Sequence, residues 1–313
     1  MNASPVILFC MIQLAVVVPF AAGLLLRTRF REPLKTSRRL VRINISGLEP
    51  LIVLWCVWDL DVQVGLLILP CAGFALTLFS LGVGVVLAPL TGLTGRGRQT
   101  FLISSTLSNH GFTLGGFLCF LLLGETALGY AIFMILYFMP YVFGFIFPAA
   151  RLAANRADAG RSRWREILLA PQNLPLAALS IALLLSVFQV PRPEINIPIA
   201  PLMFVSVGLY YFTLGITFRG ADIFSAGRAH LCLALIKFII VPACAWLVLR
   251  NSGLDPLMQQ VILVQACMSA AIYSVITALL FDLEERLASA LFVVNTVVCL
   301  VIVVPLLFWL TAV

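Results

Sequence analysis

Ser108-Asn109-His110-Gly111-Phe112-Thr113-Leu114-Gly115-Gly116 lies inside an apolar run near 100–123. Three glycines and four polar side chains interrupt what would otherwise be a continuous hydrophobic helix. A glycine in a helix interior costs about 1 kcal/mol relative to alanine. Two readings of the stretch are open. The helix unwinds here and leaves backbone groups free to face a ligand, or Gly111 and Gly115 form a G-x-x-x-G face for a close helix crossing. Both readings presuppose a membrane, and composition supplies it.

Of 313 residues, 62% are apolar and 11% are charged, against roughly 25% charged in a soluble domain. That excludes a soluble enzyme, a disordered chain and a secreted disulfide scaffold. Ten segments are apolar for about 20 residues, the length that crosses a bilayer. They lie near 6–26, 45–62, 65–90, 100–123, 126–150, 170–189, 198–218, 228–249, 256–281 and 287–310. The second is the weakest, with Glu49 and Pro50 inside and Asp59 and Asp61 at its end. The runs lack the period-2 alternation of barrel strands. The first segment reads as a retained helix with its N-terminus outside, since Arg27, Arg29 and Arg31 follow it.

Charge placement then orients the chain. Seventeen of the 20 basic residues fall in the loops that this topology puts in the cytoplasm. Only Arg192 and Arg250 fall on the other side, and Lys237 lies within a span. This is a positive-inside distribution, and the net charge of +7 then sits beside anionic lipid without implying nucleic acid. The polar segment Arg151 to Glu166 divides the chain into units 1–156 and 157–313 of five spans each. An odd number of spans per unit forces opposite orientations, as in inverted-repeat transporters. Spans 4 and 9 also run alike at an offset of 160 residues: each leads through a short acidic turn into a long apolar last span. The expected fold is an all-α membrane protein of ten transmembrane helices, two inverted five-helix repeats with helices 4 and 9 discontinuous or crossing.

Polar groups inside a membrane are the first places to look for function. Span 4 offers Ser108, Asn109, His110 and Gly111. Span 9 offers Gln265 and the small run Ser269-Ala270-Ala271, without Gly or Pro, so an intact helix is the competing reading there. His110 is either a hydrogen-bonding or proton-carrying group or a packed histidine; no ligand cluster accompanies it. Lys237 either snorkels to the interface or faces the interior, where an anion or a carbonyl cluster would partner it. Glu49 reads as an interfacial partner of Arg42 or as a functional group. Gln13 and Asn295 read as helix-to-helix hydrogen bonders. Pro19, Pro50, Pro140, Pro148, Pro242 and Pro305 fall within apolar spans, where each permits a kink. The eight cysteines lie in apolar runs with no C-x-x-C and read as packing residues. Motifs of hydrolases and ATP-driven pumps are missing, which favours gradient-driven transport, needs no cofactor and reads as no enzyme.

Several of these segments together resemble one family. They are Asn44 with Glu49-Pro50-Leu51, Ser108-Asn109-His110-Gly111-Phe112 through Gly115, and Gly124-Glu125-Thr126-Ala127-Leu128. The others are Asn173-Leu174-Pro175 with Pro191, Leu214-Gly215-Ile216-Thr217, and Lys237 with Pro242. The chain resembles the auxin efflux carriers, the PIN-like transporters and their bacterial relatives, within a superfamily that includes bile acid–sodium symporters. The resemblance implies a plasma (inner) membrane permease with both termini outside, exporting small organic anions such as auxin or dicarboxylates. It also implies a substrate site where broken helices 4 and 9 cross, at Asn109 to Gly111 and Ser269 to Ala271. H+ or Na+ would be the coupling ion, and a homodimer is compatible. The chain departs from the family in lacking a proline at each crossover, and its central loop is short beside the plant members'. Two alternatives follow: a sodium-coupled symporter using Ser108, Asn109 and Gln265 oxygens, and a non-transporting receptor or scaffold on the same fold.

Overall fold

The computed structural model describes residues 5–60, 64–111, 114–153, 174–218 and 226–311. Phe112, Thr113, Asp61, Asn173, Arg219 and most of the central polar segment, with the boundary at 156, lie outside the described residues. Among the described residues every regular element is a helix. In chain order they are α1 (Pro5–Leu26), α2 (33–58), α3 (Gly65–Thr91), α4 (Gly95–Thr106), α5 (Gly115–Leu123), α6 (125–153) and α7 (Leu174–Val187). There follow α8 (Ile199–Thr217), α9 (Gly227–Leu249), α10 (Pro256–Ala266), α11 (Ile272–Leu280) and α12 (285–311).

Among the described residues, five helical stretches are long and apolar enough to cross a membrane: Lys35–Trp58, Gly65–Thr91, Ile199–Ile216, Gly227–Leu249 and Glu285–Phe308. Leu14, Val86, Leu231, Val248 and Val301 are each more than half exposed, a surface suited to lipid rather than water. The second helix differs from its sequence expectation. It begins at Pro33, twelve residues before the apolar run expected from 45, because Pro33 supplies a first helical turn and Lys35, Arg39 and Arg42 continue it. Arg42 is exposed, so charge extends the helix beyond its apolar part without burying a cation.

Four of the interior prolines share one device. Five-residue π-turns occupy Asn44–Leu48, Val142–Ile146, Ile236–Ile240 and Cys299–Val303. After each, one residue donates its N–H five positions back: Glu49 to Asn44, Phe147 to Val142, Val241 to Ile236 and Val304 to Cys299. The next residue in every case is a proline, Pro50, Pro148, Pro242 or Pro305. A proline ring crowds the carbonyl four residues earlier and offers no N–H. Widening the preceding turn makes room for it, and the helix continues.

The helices pack as two groups with contacts between them. α1 lies along α8, α8 also meets the start of α2, and α7 packs on the end of α2. α3, α4, α6, α9, α10, α11 and α12 pack mainly among themselves. The α1–α8 contact is a backbone contact. A Cβ on Gly23 would come within 2.2 Å of the Phe212 carbonyl oxygen, and one on Gly215 within 2.1 Å of that of Phe20. Small residues are what allow helices in lipid to approach so closely. Gly215→Ala is therefore expected to cost about 1–3 kcal/mol through overpacking, read as a fall of the thermal midpoint in detergent. Gly82→Ala, which meets nothing within 4 Å on exposed α3, should leave that midpoint unchanged or raise it.

Candidate functional site

Both interrupted helices break at the same place in space. α4 ends at Thr106 and α5 begins at Gly115; α10 ends at Ala266 and α11 begins at Ile272. The extended residues between them run antiparallel and bridge Ser108 to Ala270. Asn109 donates its N–H to the Ser269 carbonyl at 2.8 Å, and Ala271 donates to the Leu107 carbonyl at 3.0 Å. Backbone groups released by unwinding in a membrane need partners from protein. Here each broken segment supplies the other's.

Side chains complete the pairing. α12 presents Asn295, whose Oδ1 accepts the Ala270 N–H at 2.8 Å. From α9, Lys237 reaches the end of α4: its Nζ donates to Ser108 Oγ at 2.7 Å and lies 3.3 Å from the Leu107 carbonyl and 3.4 Å from Ser80 Oγ. Lys237 is 1% exposed, so of the two routes left open by the sequence it takes the interior one. A cation at a helix C-terminus also meets the negative end of the helix dipole. No carboxylate lies within ion-pair distance of it among the described residues.

The remaining residues singled out from the sequence divide. Ser269 is fully buried, with its Oγ 3.4 Å from Thr296 Oγ1. Gln265 donates from Nε2 to Cys119 Sγ at 3.3 Å, while its buried Oε1 has no hydrogen-bond partner. Gly115 matters for Gln265: a Cβ there would sit 2.3 Å from Oε1. Gly111 meets nothing within 4 Å, so the two glycines do not form a shared crossing face; Gly111 instead accepts the Gly116 N–H at 3.0 Å. His110 turns to α6, its Nδ1 2.9 Å from the Tyr137 hydroxyl, which lies 2.8 Å from Thr77 Oγ1. That is a packed, hydrogen-bonded histidine, and no group of three metal-ligating side chains occurs among the described residues.

One cavity borders this framework, and a second shares no lining residue with it. A small one, with room for about one water, lies between the crossing and α8, lined by Asn109, Tyr210, Tyr211, Leu214, Ile272 and Phe292. Of the residues singled out in spans 4, 8 and 9, Asn109 alone is on its wall. A larger cavity of about 570 Å³ opens among the helix ends at Asp59, Glu125 and Asp255 and the connecting segment that carries Arg192. Arg192 is held there by Asp59 at 3.1 Å and Glu125 at 3.5 Å, over the Trp55 ring.

One buried group was left between two readings by the sequence and was not placed at the site. Glu49 does not pair with Arg42; it accepts the Tyr210 hydroxyl at 2.7 Å, and Tyr210 lines the small cavity. The neighbouring Pro50 marked the position as unusual, but the partner is 161 residues away.

No protein-family model matches this chain, and no curated protein matches it either. The site therefore stands on its own geometry. Asn295→Leu would leave the Ala270 N–H without its acceptor in a buried place, a loss of about 1–3 kcal/mol. The expected result is a lower thermal midpoint and faster hydrogen exchange at Ala270, measured on the purified protein in detergent.

Proposed function

We propose that this protein is a secondary transporter of a small organic anion, an exporter of the auxin efflux carrier type in a plasma (inner) membrane. The observation that carries the reading is Lys237. A buried amine held by neutral oxygens alone among the described residues is a group that a bound anion would keep charged. Such a place favours an anion and disfavours a cation. Asn109 on the cavity wall and Ser269 beneath it would supply further hydrogen bonds to a carboxylate, and half-helix ends add their dipoles.

Repeated landmarks support the ten-helix, inverted five-plus-five architecture. α5 and α11 begin 157 residues apart, at 115 and 272. α6 and α12 begin 160 apart, at 125 and 285. Their π-turns, Val142–Ile146 and Cys299–Val303, are 157 apart. In this reading both termini lie outside. The panel of α1, α2, α7 and α8 stays in place while the group bearing the crossing moves against it as an elevator or by rocking.

A second reading, sodium-coupled symport, is favoured by the orphaned Gln265 Oε1. It ranks below the first because the Lys237 ammonium occupies Ser108, one of the oxygens sodium would need. Flux of radiolabelled carboxylates, from malate to indole-3-acetate, into proteoliposomes tests both. Lys237→Met and the Asn109→Leu, Ser269→Leu double variant, each checked for folding, should reduce flux at least about tenfold, the effect of losing roughly 1.4 kcal/mol of binding. Unchanged flux would remove the site assignment, and flux that requires sodium would reverse the order of the two readings.

A further inference from the structure

We infer that Glu49 is a proton-binding site on the face where α2 meets α8, and that Tyr210 reports its state to the cavity beside the crossing. The inference rests on the transporter reading for its use, but the site itself stands on four side chains. Glu49 and Asn44 lie five residues apart across the π-turn of α2, so both project to one side. Ser206 and Tyr210 lie four apart on α8, again on one side. The two faces meet: Asn44 Nδ2 donates to the Ser206 carbonyl at 3.0 Å, and the Tyr210 hydroxyl donates to Glu49 Oε1 at 2.7 Å.

This cluster is buried and incompletely satisfied. Asn44 and Ser206 are 0% exposed and Glu49 is 7% exposed. Asn44 Oδ1 and Ser206 Oγ have no hydrogen-bond partner. No Lys, Arg or His lies within ion-pair distance of Glu49 among the described residues. The titratable groups that face it are Tyr210 of α8 and Tyr273 of α11, which is near enough to interact electrostatically. α7 presents none, and Arg39 and Arg42 on its own helix are exposed.

An uncompensated carboxylate in a membrane is costly and takes up a positive charge where it can. A proton fits this place better than a metal ion. One carboxylate and two orphaned oxygens fall short of the six or so oxygens that a hard cation gathers, for which calcium and magnesium are the reference. The same orphaned oxygens are acceptors of the kind a carboxylic acid O–H requires. On taking a proton, Glu49 becomes a neutral acid that donates a hydrogen bond as well as accepting one. Tyr210 shares the cavity wall with Asn109, so that change is felt one side chain away from the crossing.

The test is pH-difference infrared spectroscopy on the purified full chain in lipid. The expected result is a protonated-carboxyl C=O band that disappears as pH rises. It should be retained in Glu49→Asp, lost in Glu49→Gln, and unchanged between sodium and choline buffers. Tyr210→Phe should displace its midpoint by about one pH unit, the effect of losing one hydrogen bond to a charged group. A band that survives Glu49→Gln, or that never forms, overturns the proton site. Displacement by sodium makes it a sodium site, and an unmoved midpoint in Tyr210→Phe removes the tyrosine link. None of these readouts depends on anion flux, so failure of the transport reading and failure of this site are separable.

Discussion

Backbone hydrogen bonds have no substitute inside a bilayer, and the whole site depends on that constraint. Two helices unwind at their centres and would strand several N–H and C=O groups. They survive because the unwound pieces lie side by side and exchange bonds, Asn109 to Ser269 and Ala271 to Leu107. Lys237 and Asn295 satisfy the groups the exchange leaves over. The Lys237 amine, on which the proposed anion site rests, is thus also part of what keeps the broken backbone together. Structure and proposed chemistry share the same side chains.

The prolines show the same economy in another form. An interior proline could have ended four of these helices. Each is instead preceded by a π-turn that absorbs the missing donor and the ring. In α2 that widened turn also swings Asn44 and Glu49 onto one face, where α8 meets them with Ser206 and Tyr210. A local steric remedy therefore sets the register of a buried polar cluster.

Much of this was visible in the residues, and the rest was hidden for definable reasons. The helical, apolar character and the break in the fourth run were legible, the latter because glycines and polar groups cluster at 108–116. The break in the ninth was expected with the fold but left open by its own residues, since Ser269-Ala270-Ala271 can sit in an intact helix. What opens it is the extended segment at 107–109, some 160 residues away in sequence, together with Asn295. Pro33 marked a helix start, but Lys35, Arg39 and Arg42 read as loop because an apolar pattern cannot reveal a helix continuing beyond the lipid. Lys237 was found by its charge; its partners Ser108 and Leu107 were not deducible, nor was the Tyr210 that claims Glu49. Local pattern shows where a chain is unusual, and only tertiary contact shows what the unusual residue is for.

The paired bonds between 107–109 and 269–271 also act as a lock on relative motion. Sliding α4 past α10 would sever both at once, in a medium with no water to heal them. The crossing is consequently a single stiff knot, carried whole or not at all. Displacement of the kind proposed would fall instead on the seam where α8 faces that knot across a space one water wide.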